Sequence, residues 1–357
     1  MKRFYILLLF NCFGIAYLNA QERISNDLEI DKLIHNFGDV AIDEGPVSCE
    51  FKVKNIGKNP AVIYNVVTTC GCTKVDWTKE PIKPGESGKI SVTFSNDEGP
   101  YPFDKNVTLY ISGNQKPTIL KLRGVSHETL SPIEELYPIH LGALGLKERK
   151  NNLGSFVQGS KKVETLIIAN VSDKEAAIAF KSLSKHLSLT VNPTIIPAKS
   201  TAELKIEISS DKHLWGRNEY VAIPVVDGQE YDNISIYAFT RENFDNMTEA
   251  QISQASMPRM YNSTFAFGKT KAGSEITATF KLTNEGKSCF CVYKVDIDAC
   301  RYSHSDIPVA EPGEDIAFRV HLDTTDEPIG RYFKTVTLTT NSPNRPTINL
   351  FISGIIE

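Results

Sequence analysis

Two cysteines separated by one glycine are the residues of this sequence best suited to chemistry. Cys70 and Cys72 flank Gly71 just after the apolar run 61–67. Side chains two positions apart on a strand share a face, so we expect both thiols to point the same way. Such a pair can bind a soft metal ion, form a disulfide, or fill space in a core. The sequence leaves these three alternatives open.

The metal alternative needs ligands from elsewhere. Thiolates favour Cu(I) or Zn(II), but a closed zinc site takes four ligands. No other Cys or His lies within ten residues of Cys70 and Cys72. We therefore expect no cofactor, with copper or zinc at Cys70 and Cys72 as the metal alternative. A disulfide between two such positions on an extended strand would be strained and easily reduced.

The elements that position these thiols are short strands, and their pattern occurs three times. Each copy has a glycine after its opening apolar residue, an asparagine that ends the second alternating run, and a proline turn before a later run. These landmarks are Gly38, Asn55 and Pro84; Gly154, Asn170 and Pro197; and Gly268, Asn284 and Pro312. Alternating runs broken by Asn, Gly and Pro are typical of antiparallel β-sandwiches. The predicted fold is all-β, a tandem of immunoglobulin-like antiparallel β-sandwiches.

The spacing of the copies sets the expected domain boundaries. We predict a signal peptide over 1–20, a first Ig-like domain with the Cys-Gly-Cys unit over 21–126, and a divergent second Ig-like domain over 132–242. A polar linker over 243–259 and a third Ig-like domain over 260–357 complete the chain. The second copy contains no cysteine.

Charge and the first residues predict the compartment. The net charge of −4 argues against nucleic acid as a partner. Lys2 and Arg3 precede an apolar run from Phe4 to Leu18, and Ala20 is a small residue before a cut at Gln21, which predicts an export signal. That run is too short for a membrane span, and no other segment is long enough. We expect an exported protein, periplasmic or at the cell surface, without a transmembrane segment in the mature chain.

Several of these motifs together resemble a known family. The first copy, and in part the third, is similar to the secreted bacterial domain of unknown function with a Cys-Gly-Cys strand, which is related to Hydin-type (ASH, major-sperm-protein-like) Ig-like domains. The residues that carry the resemblance are Phe37-Gly38, Asn55-Ile56-Gly57, Thr69-Cys70-Gly71-Cys72-Thr73, Pro84-Gly85-Glu86 and Leu122-Arg123-Gly124. The resemblance implies an Ig-like sandwich and export, and it implies no established activity.

The predicted function follows from these observations. The histidines are scattered, and none has a carboxylate, Ser or Cys at a spacing that indicates a catalytic dyad. We predict an exported, non-enzymatic Ig-like binding or assembly module of the bacterial cell envelope, with a protein or envelope glycan as partner. The charged loops 95–103 and 324–331 are the expected contact surfaces. The alternative is thiol-based metal or redox handling through Cys70 and Cys72.

Overall fold

Alternating apolar residues form strands along nearly the whole chain, and the predicted all-β class is confirmed. The computed structural model describes residues 22–23, 28–114, 116–210, 214–298 and 300–357. The predicted signal peptide, 1–20, lies outside the described residues. The chain divides into two compact units, Met1–Pro132 and Ile133–Glu357.

The first unit holds one two-layer sandwich, called the first sandwich. Its strands are β1 (Glu22–Arg23), β2 (Leu28–Ile30), β3 (Ile34–Ala41), β4 (Val47–Asn55), β5 (Ile63–Thr68), β6 (Thr73–Trp77), β7 (Ser87–Phe94), β8 (Pro102–Ile111) and β9 (Thr118–His127). A five-stranded sheet, β1-β2-β4-β7-β6, faces a four-stranded sheet, β3-β9-β8-β5. Buried side chains of both sheets, Phe51 and Leu109 among them, form one core.

The second unit begins with helix α1 (Ile133–Leu136) and a second sandwich. Its strands are β10 (Ile139–Leu141), β11 (Leu144–Leu146), β12 (Lys150–Val157), β13 (Lys161–Asn170), β14 (Ala176–Ser182), β15 (Leu187–Asn192), β16 (Ile195–Ile196), β17 (Ser200–Ser209), β18 (Gly216–Val226), β19 (Gln229–Glu230) and β20 (Ile234–Arg241). The sheets run β10-β11-β13-β17-β15 and β12-β20-β18-β14-β16, with β19 paired to β18. Their inner faces share a separate core.

A third sandwich completes the second unit. Helix α2 (Glu249–Ser253) precedes β21 (Pro258–Met260), β22 (Thr264–Thr270), β23 (Glu275–Asn284), β24 (Val292–Ile297), β25 (Arg301–His304), β26 (Asp315–Asp323), β27 (Gly330–Thr340) and β28 (Thr347–Ile356). The two sheets, β21-β23-β26-β25 and β22-β28-β27-β24, enclose a third core. The domain boundaries given above remain predictions. Among the described residues, no helix is long and apolar enough to cross a membrane.

One glycine of each copy shapes the start of its sandwich. Strands β3, β12 and β22 each pair in parallel with the last strand of the same sandwich, and each pairing shifts register near its glycine. Gly38, Gly154 and Gly268 lie there with φ of 70°, 72° and 74°. This left-handed backbone costs other residues roughly 1–2 kcal/mol, which explains the repeated glycine.

The repeated asparagine of each copy is buried, and its side chain bonds backbone groups of three other residues. We call this arrangement the asparagine clamp. The Asn284 Nδ2 donates to the carbonyl oxygens of Ser288 and Ala310 at 2.8 and 2.9 Å, and its Oδ1 accepts from the Gly286 amide at 3.0 Å. Asn55 and Asn170 make the same three bonds in their own sandwiches. All three asparagines are fully buried. Each therefore satisfies backbone groups that would otherwise be buried without partners.

Candidate functional site

The Cys-Gly-Cys segment is a turn, which corrects the expectation that it continues a strand. Strand β5 ends at Thr68 and β6 begins at Thr73. These strands are the edges of the two opposing sheets of the first sandwich. The chain therefore crosses from one sheet to the other at residues 70–72. The alternation of side chains along a strand does not predict such a crossing. Gly71 is exposed, and a Cβ built on it would meet nothing within 4 Å.

Of the three alternatives for the thiols, the structure contains the disulfide. Cys70 and Cys72 are joined, with their Cα atoms 5.3 Å apart. Both residues are half-buried, and Cys72 packs against the core of the first sandwich. Metal binding by Cys70 and Cys72 stays a prediction.

A carboxylate lies beside the two sulfur atoms. The Sγ atoms of Cys70 and Cys72 and a carboxylate oxygen of Glu98 all lie within 4.8 Å of one another. Glu98 belongs to the loop that we interpreted from sequence as a charged contact surface. Thiolate sulfur and carboxylate oxygen together form a donor set that zinc accepts. The sequence places Glu98 far from the cysteines, so spacing gave no signal for this arrangement.

The Glu98 carboxylate is held by two neighbours. The Lys105 Nζ donates to Glu98 Oε2 at 2.5 Å, and the Tyr101 hydroxyl donates to the same oxygen at 3.3 Å. The hydrogen bond from Lys105 is the main reason why the pKa of Glu98 is lowered. The carboxylate is therefore ionised and oriented in the folded protein, and a metal ion would compete with Lys105 for it.

Hydrogen bonds to backbone carbonyl oxygens fix the turn and hold it against this loop. The Ser95 amide donates to the Cys72 carbonyl oxygen at 2.8 Å. The Thr68 hydroxyl donates to the Cys70 carbonyl oxygen at 3.1 Å. The two loops thus form one end of the first sandwich, and we call residues 69–72 together with 95–101 the Cys-Gly-Cys end.

The third sandwich has an ion pair equivalent to Lys105–Glu98 of the Cys-Gly-Cys end, but it lacks the cysteine pair. Lys334 and Glu327 are 2.8 Å apart and mostly buried, at the same seven-residue spacing as Glu98 and Lys105. Cys300 directly precedes β25, as Cys72 directly precedes β6. Burial raises the pKa of the Cys300 thiol. Asp298 stands two residues earlier, where the first sandwich has Cys70.

A second arrangement of interest lies between the second and third sandwiches, both within the second unit. The rings of Trp215 and Tyr293 stack, with centroids 4.2 Å apart and planes at 10°. The Tyr293 hydroxyl donates to Glu242 at 2.6 Å, and burial is the first cause that raises the pKa of Tyr293. We call this contact the junction. The sequence contained no periodic signal for it, because its residues are single positions on different strands and connections.

Charged groups surround the aromatic pair of the junction. The Arg217 amide donates to Asp296 Oδ2 at 2.9 Å, and the Arg217 guanidinium bonds Asp298 at 2.6 Å. Lys294 bonds the Arg217 carbonyl oxygen. A cleft of about 470 Å³ opens beside them, lined in part by Arg217, Arg241 and Thr337. The junction thus joins the outer faces of two sheets through stacking and paired polar groups.

Two further residue environments of the first sandwich, those of His127 and Cys49, are visible only in the structure. His127 and Asp39 were not expected to meet, yet His127 Nε2 lies 2.8 Å from Asp39 Oδ1. The parallel pairing of β3 with β9 brings these two residues together across most of the first sandwich's sequence. Cys49, in β4, is a free thiol that packs on the core. Burial raises the pKa of Cys49 to about 12.

Comparison with protein families identifies the relatives of this chain. The model of the family described as a protein of unknown function, DUF1573, matches residues 28–126 and 259–356, more than half of the chain. The chain belongs to the DUF1573 family. The resemblance inferred from the first and third copies is thereby confirmed. The two DUF1573 segments coincide with the first and third sandwiches, and no curated protein matches the chain.

One solved structure supports the fold of this DUF1573 protein, and two others are similar to parts of the chain. A protein of unknown function from Porphyromonas gingivalis is 16% identical over 60% of this chain and all of its own, with a TM-score of 0.50. An ASH/PapD-like domain of human CEP192 is 15% identical, covers 32% of this chain and 94% of its own, and has a TM-score of 0.24. A C. elegans MSP family member is 16% identical, covers 28% and 99%, and has a TM-score of 0.20.

Proposed function

We propose that this DUF1573 protein is an exported, non-enzymatic binding or assembly module of the bacterial cell envelope. The observation that carries the proposal is the junction, where one Ig-like sandwich receives another on the outer face of its four-stranded sheet through Trp215 and Tyr293. A sheet face of this fold therefore serves as a protein-binding surface within the chain itself. The partner is a protein, or a glycan that offers a comparable flat surface.

Photo-crosslinking in living cells tests the binding part of the proposal. A photoreactive phenylalanine is placed at exposed sheet-face or loop positions, one at a time, such as Tyr64, Tyr101 and Phe333. Lys52 and Lys89, exposed on the outer face of the other sheet of the first sandwich, provide matched controls. We expect discrete adducts from one or more test positions and none from the controls. A chain that gives no adduct from any position would refute the binding module.

Fractionation tests the predicted compartment separately. The export signal predicts a mature protein that begins at Gln21 and is recovered with the envelope fraction. Leu8→Arg, within the apolar run, is expected to leave the uncleaved chain in the cytoplasm. Mass spectrometry of the amino terminus decides between these results, and an intact Met1 in the wild-type protein would argue against export.

The Glu98 carboxylate beside Cys70 and Cys72 favours a second candidate, binding of a soft metal ion after reduction. A dithiol would supply two electrons and two protons, so that the disulfide becomes two thiols while the dithiol becomes a disulfide. Both thiols then lose their protons to the solvent as Cu(I) or Zn(II) binds. Glu98 is the third ligand when it releases Lys105.

Elemental analysis of the full chain tests the second candidate. Reduced protein is incubated with Zn(II) or Cu(I) and freed of unbound metal on a gel-filtration column. We expect about one ion per chain, and at least about tenfold weaker binding in the double variant Cys70→Ser/Cys72→Ser. Cys289→Ser/Cys291→Ser is the matched control, because it also removes two thiols separated by one residue. Equal metal in both double variants would exclude the site.

A further inference from the structure

We infer that a second copy of this chain docks on the outer sheet face of the first sandwich. This surface, called the tyrosine face, consists of Tyr64 and Val67 on β5, Thr108 and Tyr110 on β8, and Ile119 on β9. The inference rests on the proposed function, because it names the surface and the partner that a binding module of this kind would use.

The strand pairs β5/β8 and β24/β27 are equivalent residue by residue. Each pairing is interrupted at the second residue of its first strand, and that residue is Tyr64 in the first sandwich and Tyr293 in the third. The registers on either side agree: Asn65 pairs Tyr110 and Val67 pairs Thr108, while Lys294 pairs Thr339 and Asp296 pairs Thr337. Tyr64 therefore stands at the position from which Tyr293 contacts Trp215.

The two equivalent positions have opposite surroundings. The second sandwich covers the face in the third sandwich, so that Asp296 is only 8% exposed and Thr339 is fully buried. In the first sandwich Tyr64 is 62% exposed and Val67, at the position of Asp296, is 46% exposed. The covered face of the third sandwich thus buries a charged residue, Asp296. The equivalent face of the first sandwich exposes an aliphatic residue, Val67. This inversion indicates that the tyrosine face is adapted to a partner of its own.

The side chains of the tyrosine face form one patch. Val67 pairs Thr108, and Thr108 pairs Ile119 on the next strand, which is 48% exposed. The Tyr64 and Tyr110 rings are 6.2 Å apart. Exposed aliphatic and tyrosine side chains that line up across three strands are typical of the centre of a protein interface.

The composition of the tyrosine face favours a second copy of this chain as its partner over a domain that resembles the second sandwich. The second sandwich binds Asp296 through the Arg217 amide, and Val67 in its place offers no acceptor. An uncharged patch is complementary to itself, which a two-fold dimer requires because both subunits present the same surface. Beside it, Asp104 bonds Arg123 at 3.0 Å and lies 3.8 Å from Lys121, so that one rim carries both signs of charge.

Sedimentation velocity of the mature full chain over a concentration series tests the inference. We expect a reversible dimer that Val67→Asp weakens at least about tenfold, because two carboxylates would face each other across the two-fold axis. The fold should tolerate this change, since the third sandwich has an aspartate at the equivalent position. Val309→Asp is the matched control, as Val309 is 54% exposed outside the patch, and it should leave dimerisation unchanged.

Crosslinking through a photoreactive residue at position 64 identifies the occupant. Mixed light and heavy-isotope chains should yield mixed adducts whose linked peptides both belong to the first sandwich. A monomer at every concentration, or a dimer unaffected by Val67→Asp, overturns the inference. If position 64 then links another envelope protein, the second copy is excluded while the binding module stands. If no position gives any adduct in cells, the proposed function fails as well.

Discussion

Trp215 of the second sandwich lies flat against Tyr293 of the third, at 4.2 Å between ring centroids. This stack couples two sandwiches with separate cores. Stacked aromatic pairs contribute about 0.5–1.5 kcal/mol beyond the area they bury.

We expect a double-mutant cycle on this stack to show that coupling. Trp215→Ala and Tyr293→Ala should each destabilise the second unit, and the double variant should lose about 1 kcal/mol less than the sum of the two. Urea unfolding of the full chain gives the free energies. Tyr261→Ala, at a residue 62% exposed outside the junction, should be additive with Trp215→Ala. Additivity of Trp215→Ala with Tyr293→Ala would show that the stack carries no energy.

Asn284→Asp should destabilise the third sandwich strongly. Asn284 Nδ2 donates to the carbonyl oxygens of Ser288 and Ala310, the second of which is buried, and a carboxylate has no donor for them. We expect a loss of about 3 kcal/mol or more in the free energy of unfolding, because a buried acceptor loses its donor and a new charge is buried at position 284. Asn349→Asp is the control, since Asn349 is exposed and its Oδ1 accepts from Thr337. A similar loss of unfolding free energy in Asn284→Asp and Asn349→Asp would contradict a stabilising role for the asparagine clamp.

The Cys70–Cys72 disulfide should contribute little to global stability. A bridge that closes so short a loop removes little entropy from the unfolded chain, so Cys70→Ser/Cys72→Ser should cost at most about 2 kcal/mol. Thiol titration of the denatured mature chain should find four free cysteines without reductant, which are Cys49, Cys289, Cys291 and Cys300. Six thiols before reduction would show that the bridge is absent.

Stability should fall as the pH is lowered from about 6.5 to 4. Burial, with the Lys32 ammonium 2.9 Å from His35 Nδ1, lowers the pKa of His35 from 6.5 to about 4. Between these values the unfolded chain binds a proton that the folded chain does not, so the first sandwich loses on the order of 1–2 kcal/mol after discounting for solvent screening. Urea midpoints across this range should fall less in His35→Gln. An unchanged slope would assign the pH dependence to other groups.

The sequence predicted what depends on local pattern. Alternation and turn residues identified the strands, and the repeated asparagine was recognised as the residue that ends an alternating run. Its hydrogen bond from Asn284 to Ala310, or from Asn55 to Ile82, joins residues that are 26 and 27 positions apart in the sequence. Such a partner is set by sheet order, which the spacing of one chain does not specify.

The candidate site was predicted only in part, for the same reason. Cys70 and Cys72 were identified by their spacing, but Glu98 was interpreted only as part of a charged contact loop. Only the chain's crossing between two sheets at Gly71 brings that loop against the sulfur atoms. Trp215 and Tyr293 were not singled out, because a contact between two sandwiches depends on how their faces meet. An alignment of the three copies would have paired Tyr64 with Tyr293, which is the one signal that sequence alone contained.

The parallel pairing of β3 with β9 determines how the first sandwich responds to mechanical load. When the chain is pulled from both ends, tension that has passed β1 and β2 reaches β3 and leaves the first sandwich through β9, and these two strands lie side by side and point the same way. The hydrogen bonds between them are then sheared together instead of being unzipped one at a time. Because these hydrogen bonds must break together, the parallel pairing of β3 with β9 opposes extension more strongly than an antiparallel pairing that is loaded at one end.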